Sequence, residues 1–179
     1  MVRAFVAIDL VASLREAFSL VQEPLKTCSG RLAIVDPSLL HITLKFLGEV
    51  PADQVRGVGE VLHSVESSPF TLRICGISSN NPKRPRVIWA VVEDGGRTGA
   101  LANEIDAALE PLGFSREKRP FRPHITLARV KEYHPDIPVA IDSLSDWVCG
   151  EMEVAGFVLK KSTLTPRGPI YETITEVPL

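Results

Sequence analysis

At 179 residues, with 45% apolar side chains, the chain carries enough hydrophobic surface for one core, with room for two lobes. A formal charge of -2 and a pI near 6.1 exclude a protein that grips long nucleic acid by charge alone, because that mode needs many cations on one surface. Cys28, Cys75 and Cys149 are odd in number, far apart and without a C-x-x-C spacing, which excludes a zinc knuckle and a disulfide framework and points to idle thiols in a reducing cytosol.

The run from Ala4 to Leu10 is interrupted by Asp9 and is too short for a signal segment, and no stretch reaches the length of a membrane span. The expectation is a soluble, cytoplasmic monomer that engages no membrane. Residues 3–10 predict a buried strand. A helix follows, with Ser13 and Glu16 as a capping box and Leu14, Ala17, Phe18, Val21 and Leu25 on one apolar face; Pro24 is expected to kink or end it. Leu32 to Val35 form a short strand, Asp36-Pro37-Ser38 turns, and residues 40–47 form a strand that Gly48 closes. Pro51 and Asp53 open a second helix with Val55, Val58, Val61 and Leu62 on one face, and residues 70–77 are extended.

Residues 78–86, with two Asn, two Pro and the Lys83-Arg84 pair, predict a loop that divides the halves. Residues 87–92 predict a strand, and Leu101, Ile105, Ala108, Leu109 and Leu112 a helix that Gly113 terminates. A basic loop from Arg116 to Arg122 leads into another strand. Pro135 to Pro138 interrupts the pattern, residues 141–147 are ambiguous, residues 152–160 predict a strand, and residues 171–177 predict a half-buried one.

One phrase occurs twice: His41-Ile42-Thr43-Leu44 returns as His124-Ile125-Thr126-Leu127. The interval from Phe5 to His41 equals that from Ile88 to His124, and the strand near Phe70 matches the one near Glu153 at the same offset. Order and spacing therefore imply a duplication. The expected fold is α+β and two-lobed: duplicated strand-helix-strand-strand units related by a pseudo-two-fold axis, with antiparallel-dominated sheets flanking a central cleft, all within one domain over residues 1–179.

On a strand each His and Thr of the phrase faces one side and each Ile and Leu the other. Two such strands set two imidazoles and two hydroxyls around one small anion. Histidine both gives and takes a proton near neutral pH, so the pair suits phosphodiester cleavage, with His41 and His124 as acid and base and Thr43 and Thr126 donating to the phosphate oxygens. No metal or other cofactor is needed for this. A zinc site is the chemical rival, but it lacks a third ligand at metal-binding spacing, and His63 and His134 have no repeated partner. Cations cluster around the second copy: Arg116, Lys118, Arg119, Arg122, Arg129 and Lys131. Arg122 shares the face of His124, whereas Arg129 faces away on an ideal strand and needs a bulge to reach a phosphate. Phe5 and Phe46 can stack on a base, although such residues more often sit in a core. Lys83, Arg84 and Arg86 can extend a shallow track for RNA, yet loop cations are common without one.

The phrases Arg3-Ala4-Phe5-Val6-Ala7-Ile8, His41 to Glu49, Arg122 to Arg129 and Ser162 to Tyr171 together resemble the 2H phosphoesterase superfamily, and within it the bacterial and archaeal RNA 2',3'-cyclic phosphodiesterases, also called 2'-5' RNA ligases. The resemblance spans nearly the whole chain. It implies a bilobed fold and metal-independent hydrolysis of 2',3'-cyclic phosphate at RNA 3' ends to a 2'-phosphomonoester, with possible 2'-5' ligation. It assigns catalysis to His41 and His124 and phosphate binding to Thr43 and Thr126, and adds Tyr171 to the candidate substrate contacts. Two alternatives stay open: a relative acting on small nucleotides such as ADP-ribose cyclic phosphate or 2'-5' oligoadenylate, and a module that binds RNA ends without catalysis.

Overall fold

The computed structural model describes every residue except Arg167, which lies in the C-terminal phrase quoted above. Its elements are β1 (Val2–Asp9), α1 (Ala12–Lys26), β2 (Arg31–Ile34), β3 (His41–Val50), α2 (Val55–Leu62), β4 (Phe70–Ser79), β5 (Val87–Glu93), α3 (Arg97–Leu109), β6 (His124–Glu132), α4 (Asp136–Ser143), β7 (Val148–Val154), β8 (Gly156–Thr165) and β9 (Gly168–Pro178). Among the described residues the strands form one antiparallel sheet in the order β7-β4-β5-β6-β3-β1-β8-β9, with β2 also paired to β6. No helix among them is long and apolar enough to cross a membrane.

Several local expectations are corrected. Ser13 is exposed inside α1 rather than capping it; Val11 precedes the helix and no side chain caps it. The helix continues through Pro24 to Lys26, since a proline this close to the end forfeits little of the hydrogen-bond ladder. Its buried face is Leu14, Phe18, Val21 and Leu25, joined by Gln22, whose amide donates to the Val35 carbonyl at 2.8 Å. Gly48 does not end β3 but lies within it at φ +71°, a conformation that suits glycine, where Leu47 is bulged out of register with β1. Pro135 to Pro138 does not break the chain; it starts α4, where the missing proline N–H groups fall in a first turn that has no partners for them. Residues 152–160 are two strands rather than one, because β7 ends at Val154 and β8 begins at Gly156. They lie toward opposite ends of the sheet.

Residues 80–86 lie between the two halves in sequence without separating them in space. They close a hairpin between β4 and β5, whose pairing runs from Arg73↔Glu93 to Ser79↔Ile88. The two halves of the sequence consequently exchange strands. β4 follows β3 in the chain but pairs with β5, and β8 follows β6 but pairs with β1. The helices exchange as well: α1 packs on β7, β2 and α4, while α3 packs on β3 and α2. One lobe is thus β3, β1, β8 and β9 under α2 and α3. The other is β6, β5, β4, β7 and β2 under α1 and α4. Between lobes the sheet is continuous through a single residue pair of β3 and β6, Ile42↔Ile125.

Candidate active site

Ile42 and Ile125 are both fully buried at this junction. Strand alternation sends His41, Thr43, His124 and Thr126 to the other face, where all four are half-buried. Extending the antiparallel register by one residue each way sets His41 across from Thr126 and Thr43 across from His124. The imidazoles occupy one diagonal of a small rectangle and the hydroxyls the other; such diagonals span about 7–8 Å in a sheet.

The rings are oriented alike. Nδ1 of His41 lies 2.8 Å from the Leu39 carbonyl, and Nδ1 of His124 lies 2.8 Å from the Arg122 carbonyl. A carbonyl only accepts, so Nδ1 carries the proton and Nε2 of each neutral ring is left with a lone pair. The Thr43 hydroxyl donates to Nε2 of His41 at 3.1 Å.

Their surroundings differ. His41 packs against Phe5, with centroids 5.0 Å apart, and edge-on to Tyr171 at 5.4 Å and 86°. Burial here holds the His41 pKa below the usual histidine value; the Leu39 hydrogen bond and Asp9 oppose that shift, while Lys160 and Arg15 reinforce it. Lys160 is ion-paired with Asp9 at 2.8 Å. His124 instead stands beside Trp89, at 5.1 Å. Burial of Tyr171 raises its hydroxyl pKa, against which Arg129 and Arg3 act.

A pair of equivalent bulges decides which further side chains join this face. On β3 the register passes from Ala7↔Thr43 to Val6↔Lys45, skipping Leu44. On β6 it passes from Trp89↔Thr126 to Ile88↔Ala128, skipping Leu127. Each bulge reverses the alternation, so Lys45 and Ala128 turn inward, and Phe46 and Arg129 turn to the face of the histidines. Arg129 has the bulge it needed, and its charge acts on Tyr171 of the other lobe. Phe46 is 72% exposed, so it is no core residue, and its ring is 6.3 Å from that of Phe5. Phe5 is itself buried. The registers also correct the repeat: Val87, opposite Arg129, is the counterpart of Phe5, opposite Phe46, in place of Ile88.

Arg122 and Arg119 lie in the irregular segment before β6, both exposed. Arg122 holds His124 through its carbonyl, and Arg119 has its backbone N–H bound by the Glu117 side chain at 3.1 Å. This segment is tethered to the other lobe by a buried ion pair between Lys45 and Asp106. Lys45 also donates to the Ser115 carbonyl at 2.9 Å, and Asp106 accepts from the Glu117 N–H at 2.8 Å. Arg116 is neutralised by Glu110 at 2.9 Å. His63 and His134 are exposed, and among the described residues no group of three His, Cys, Asp or Glu side chains could hold a metal ion.

The sequence reading missed Trp89, Asp9, Lys160 and Lys45. Trp89 falls in an unbroken apolar run, which hides the side of the strand it faces. Lys45 and Asp106 are ordinary charges in sequence, and only their burial sets them apart.

A family model described as LigT like Phosphoesterase matches residues 8–89 and 92–171. The chain belongs to this family, within the 2H superfamily. It is 41% identical to an RNA 2',3'-cyclic phosphodiesterase of Archaeoglobus fulgidus, over 96% of this chain and 97% of that one. It is 35% identical to a Thermotoga maritima protein of the same name, over 97% and 94%. Among solved structures, TT0787 of Thermus thermophilus matches with a TM-score of 0.82 and 33% identity, covering 99% of this chain and 97% of that one. E. coli LigT complexed with 3'-AMP matches at 0.78 and 27%, covering 99% and 98%.

Proposed function

We propose that the chain hydrolyses 2',3'-cyclic phosphate ends of RNA to 2'-phosphomonoesters, with His41 and His124 exchanging protons and Thr43 and Thr126 steadying the phosphate. The observation that carries this is the diagonal pair of imidazoles on one face of the β3–β6 junction, each fixed through Nδ1 and left with a lone pair on Nε2. One Nε2 takes a proton from water as its oxygen attacks phosphorus. The bond from phosphorus to the 3' oxygen breaks, and the other imidazole, entering as imidazolium, gives that oxygen its proton. The threonine hydroxyls donate to the non-bridging oxygens as charge builds there. The chain supplies acid, base and donors by itself, and we assign no metal or other cofactor. The reading is supported by relatives named RNA 2',3'-cyclic phosphodiesterase and by an E. coli family member crystallised with a nucleotide.

A 5'-hydroxyl in place of the attacking water breaks the same bond and yields a 2'-5' linkage, so ligation is the same chemistry with another nucleophile. Phe5, Phe46, Tyr171, Arg129, Arg122 and Arg119 serve the substrate in this reading. The whole of residues 1–179 acts as one bilobed domain and as a monomer, since one chain supplies both histidines. Three free cysteines accord with the cytoplasm.

The test is hydrolysis of a nucleoside 2',3'-cyclic phosphate in EDTA, with product identified by chromatography. Formation of the 2'-phosphate is expected, and His41→Ala and His124→Ala each lower kcat about 10²–10⁴-fold. Wild-type rates in either variant, or dependence on added metal, overturn the mechanism.

A further inference from the structure

Beyond Arg129, β6 runs on to Lys131, an exposed residue that the pairing with β2 passes over between Leu32↔Val130 and Arg31↔Glu132. Lys131 lines a groove of about 200 Å³ together with Arg84, Pro85, Arg86, Val130 and Tyr133. No carboxylate lines it. Some surface cations among the described residues are matched, as in Arg31 with Glu132, Arg56 with Glu60 and Arg116 with Glu110, while others such as Arg119 and Arg122 are not. Among the described residues, Arg84, Arg86, Arg129 and Lys131 have no such acidic partner.

The groove is held in shape by polar bonds within the β4–β5 hairpin. The Asn80 side-chain oxygen accepts from the N–H groups of Arg86 and Val87, at 2.8 and 2.9 Å, and that of Asn81 from Lys83 and Arg84, at 3.0 and 3.1 Å. Tyr133 donates to the Lys83 carbonyl at 3.2 Å, the Arg84 guanidinium lies 5.5 Å from the Tyr133 ring, and the Arg86 carbonyl accepts from Val130 N–H at 2.9 Å. A fixed loop presents a planar cation and a 40% exposed aromatic ring beside further cations. Cations alternating with stacking surfaces are what hold a single strand of nucleic acid without reading its sequence.

We infer that Arg84, Arg86, Lys131 and Tyr133 form a second binding site, for the sugar-phosphate chain upstream of the cyclic phosphate, so that the RNA strand runs along β6 from the histidines past Arg129. This rests on the reading of the cleft as the seat of a cyclic phosphate end. The site begins roughly 13–17 Å along the strand from Thr126, so a mononucleotide does not reach it and an oligomer does. Discrimination between a short and a long substrate is its function.

The experiment compares a nucleoside 2',3'-cyclic phosphate with a hexanucleotide ending in the same group, in the wild type and in a variant combining Arg84→Ala, Arg86→Ala and Lys131→Ala. The wild type is expected to favour the hexamer in kcat/KM. The variant is expected to lose about 10–100-fold on the hexamer and to keep its rate on the mononucleotide. The slope of log affinity against log salt for a hexamer ending in a 2'-phosphate should flatten by roughly 2, at about 0.7 per lost phosphate contact on a single strand. Restoring charge with Arg84→Lys, Arg86→Lys and native Lys131 should recover most of the loss, which a mere folding defect would not do. A hexamer handled no better than a mononucleotide, or an unchanged salt slope, overturns the site. Failure of the wild type to open either cyclic phosphate would instead defeat the parent reading, and hexamer binding would still decide the site.

Discussion

β3 and β6 carry the same four residues, the same buried isoleucine at the junction and the same bulge one residue beyond the threonine, yet the molecule treats them differently. After the bulge β3 turns a lysine inward and a phenylalanine outward, where β6 has an alanine and an arginine. The lysine finds Asp106 and ties down the segment that leads to His124. The alanine faces β2, paired opposite Ile34, and needs no such anchor. His41 is enclosed by Phe5 and Tyr171, whereas His124 has Trp89 beside it and cations downstream. The repeat sets where the two histidines and two threonines stand, and the unrepeated neighbours give each histidine its own surroundings, with burial lowering the pKa of His41.

The largest effect on rate expected from breaking this likeness is at the threonines. Thr43→Val and Thr126→Val should each cost kcat on a cyclic mononucleotide by about 10²-fold, the scale of losing one donor to a developing charge. Unequal losses in single-turnover assays would show which hydroxyl follows the charge. Next is Lys45→Met, which strands Asp106 in the interior and should destabilise folding by about 3–5 kcal/mol in urea titration. Adding Asp106→Leu should recover much of that, while leaving the segment before His124 loose and kcat low. A double variant as active as the wild type would mean that this tether does nothing for His124. Arg129→Ala should raise KM about tenfold, since hydrogen bonds to charged groups contribute ~1.5–3 kcal/mol. Its counterpart Phe46→Ala should change KM less if charge, more than stacking, holds the substrate.

The smallest effect concerns pH. A neutral and a protonated imidazole give a bell-shaped profile whose two limbs belong to the pair as a unit. Burial lowers the His41 pKa, so the acidic limb should lie below the ordinary histidine range, the rate falling as pH drops through it. Tyr171→Ala opens His41 to water and should move that limb upward in kcat against pH. An unmoved limb would mean that the cover over His41 does not set its charge.

Much of this was legible beforehand. The tetrapeptides announced their strands, faces and partnership because a period of two with His and Thr on one side and Ile and Leu on the other has few other uses. Arg129 could be named as conditional on a bulge, but the bulge itself could not be read: Leu44 and Leu127 are ordinary strand residues whose displacement is fixed by the pairing of β1 and β5 beside them. The exchange of β4 and β8 was equally hidden, since amphipathic patterns tell which side of a strand is buried and nothing about which neighbour it takes. Ala155-Gly156 marked a break between two strands, and the apolar residues on either side masked it.

That exchange has a consequence for how the chain comes to be folded during synthesis. β1 is made first, yet one of its edges stays open until residues 156–165 arrive. Its lobe is closed only by β9, near the last residue, so most of the pairings there join distant parts of the sequence. High sequence separation of contacts slows folding and lengthens the exposure of unpaired edges. A ribosome-bound fragment ending before β8 has His41, His124 and seven of the nine strands, but the lobe that encloses His41 is still missing two of its four strands.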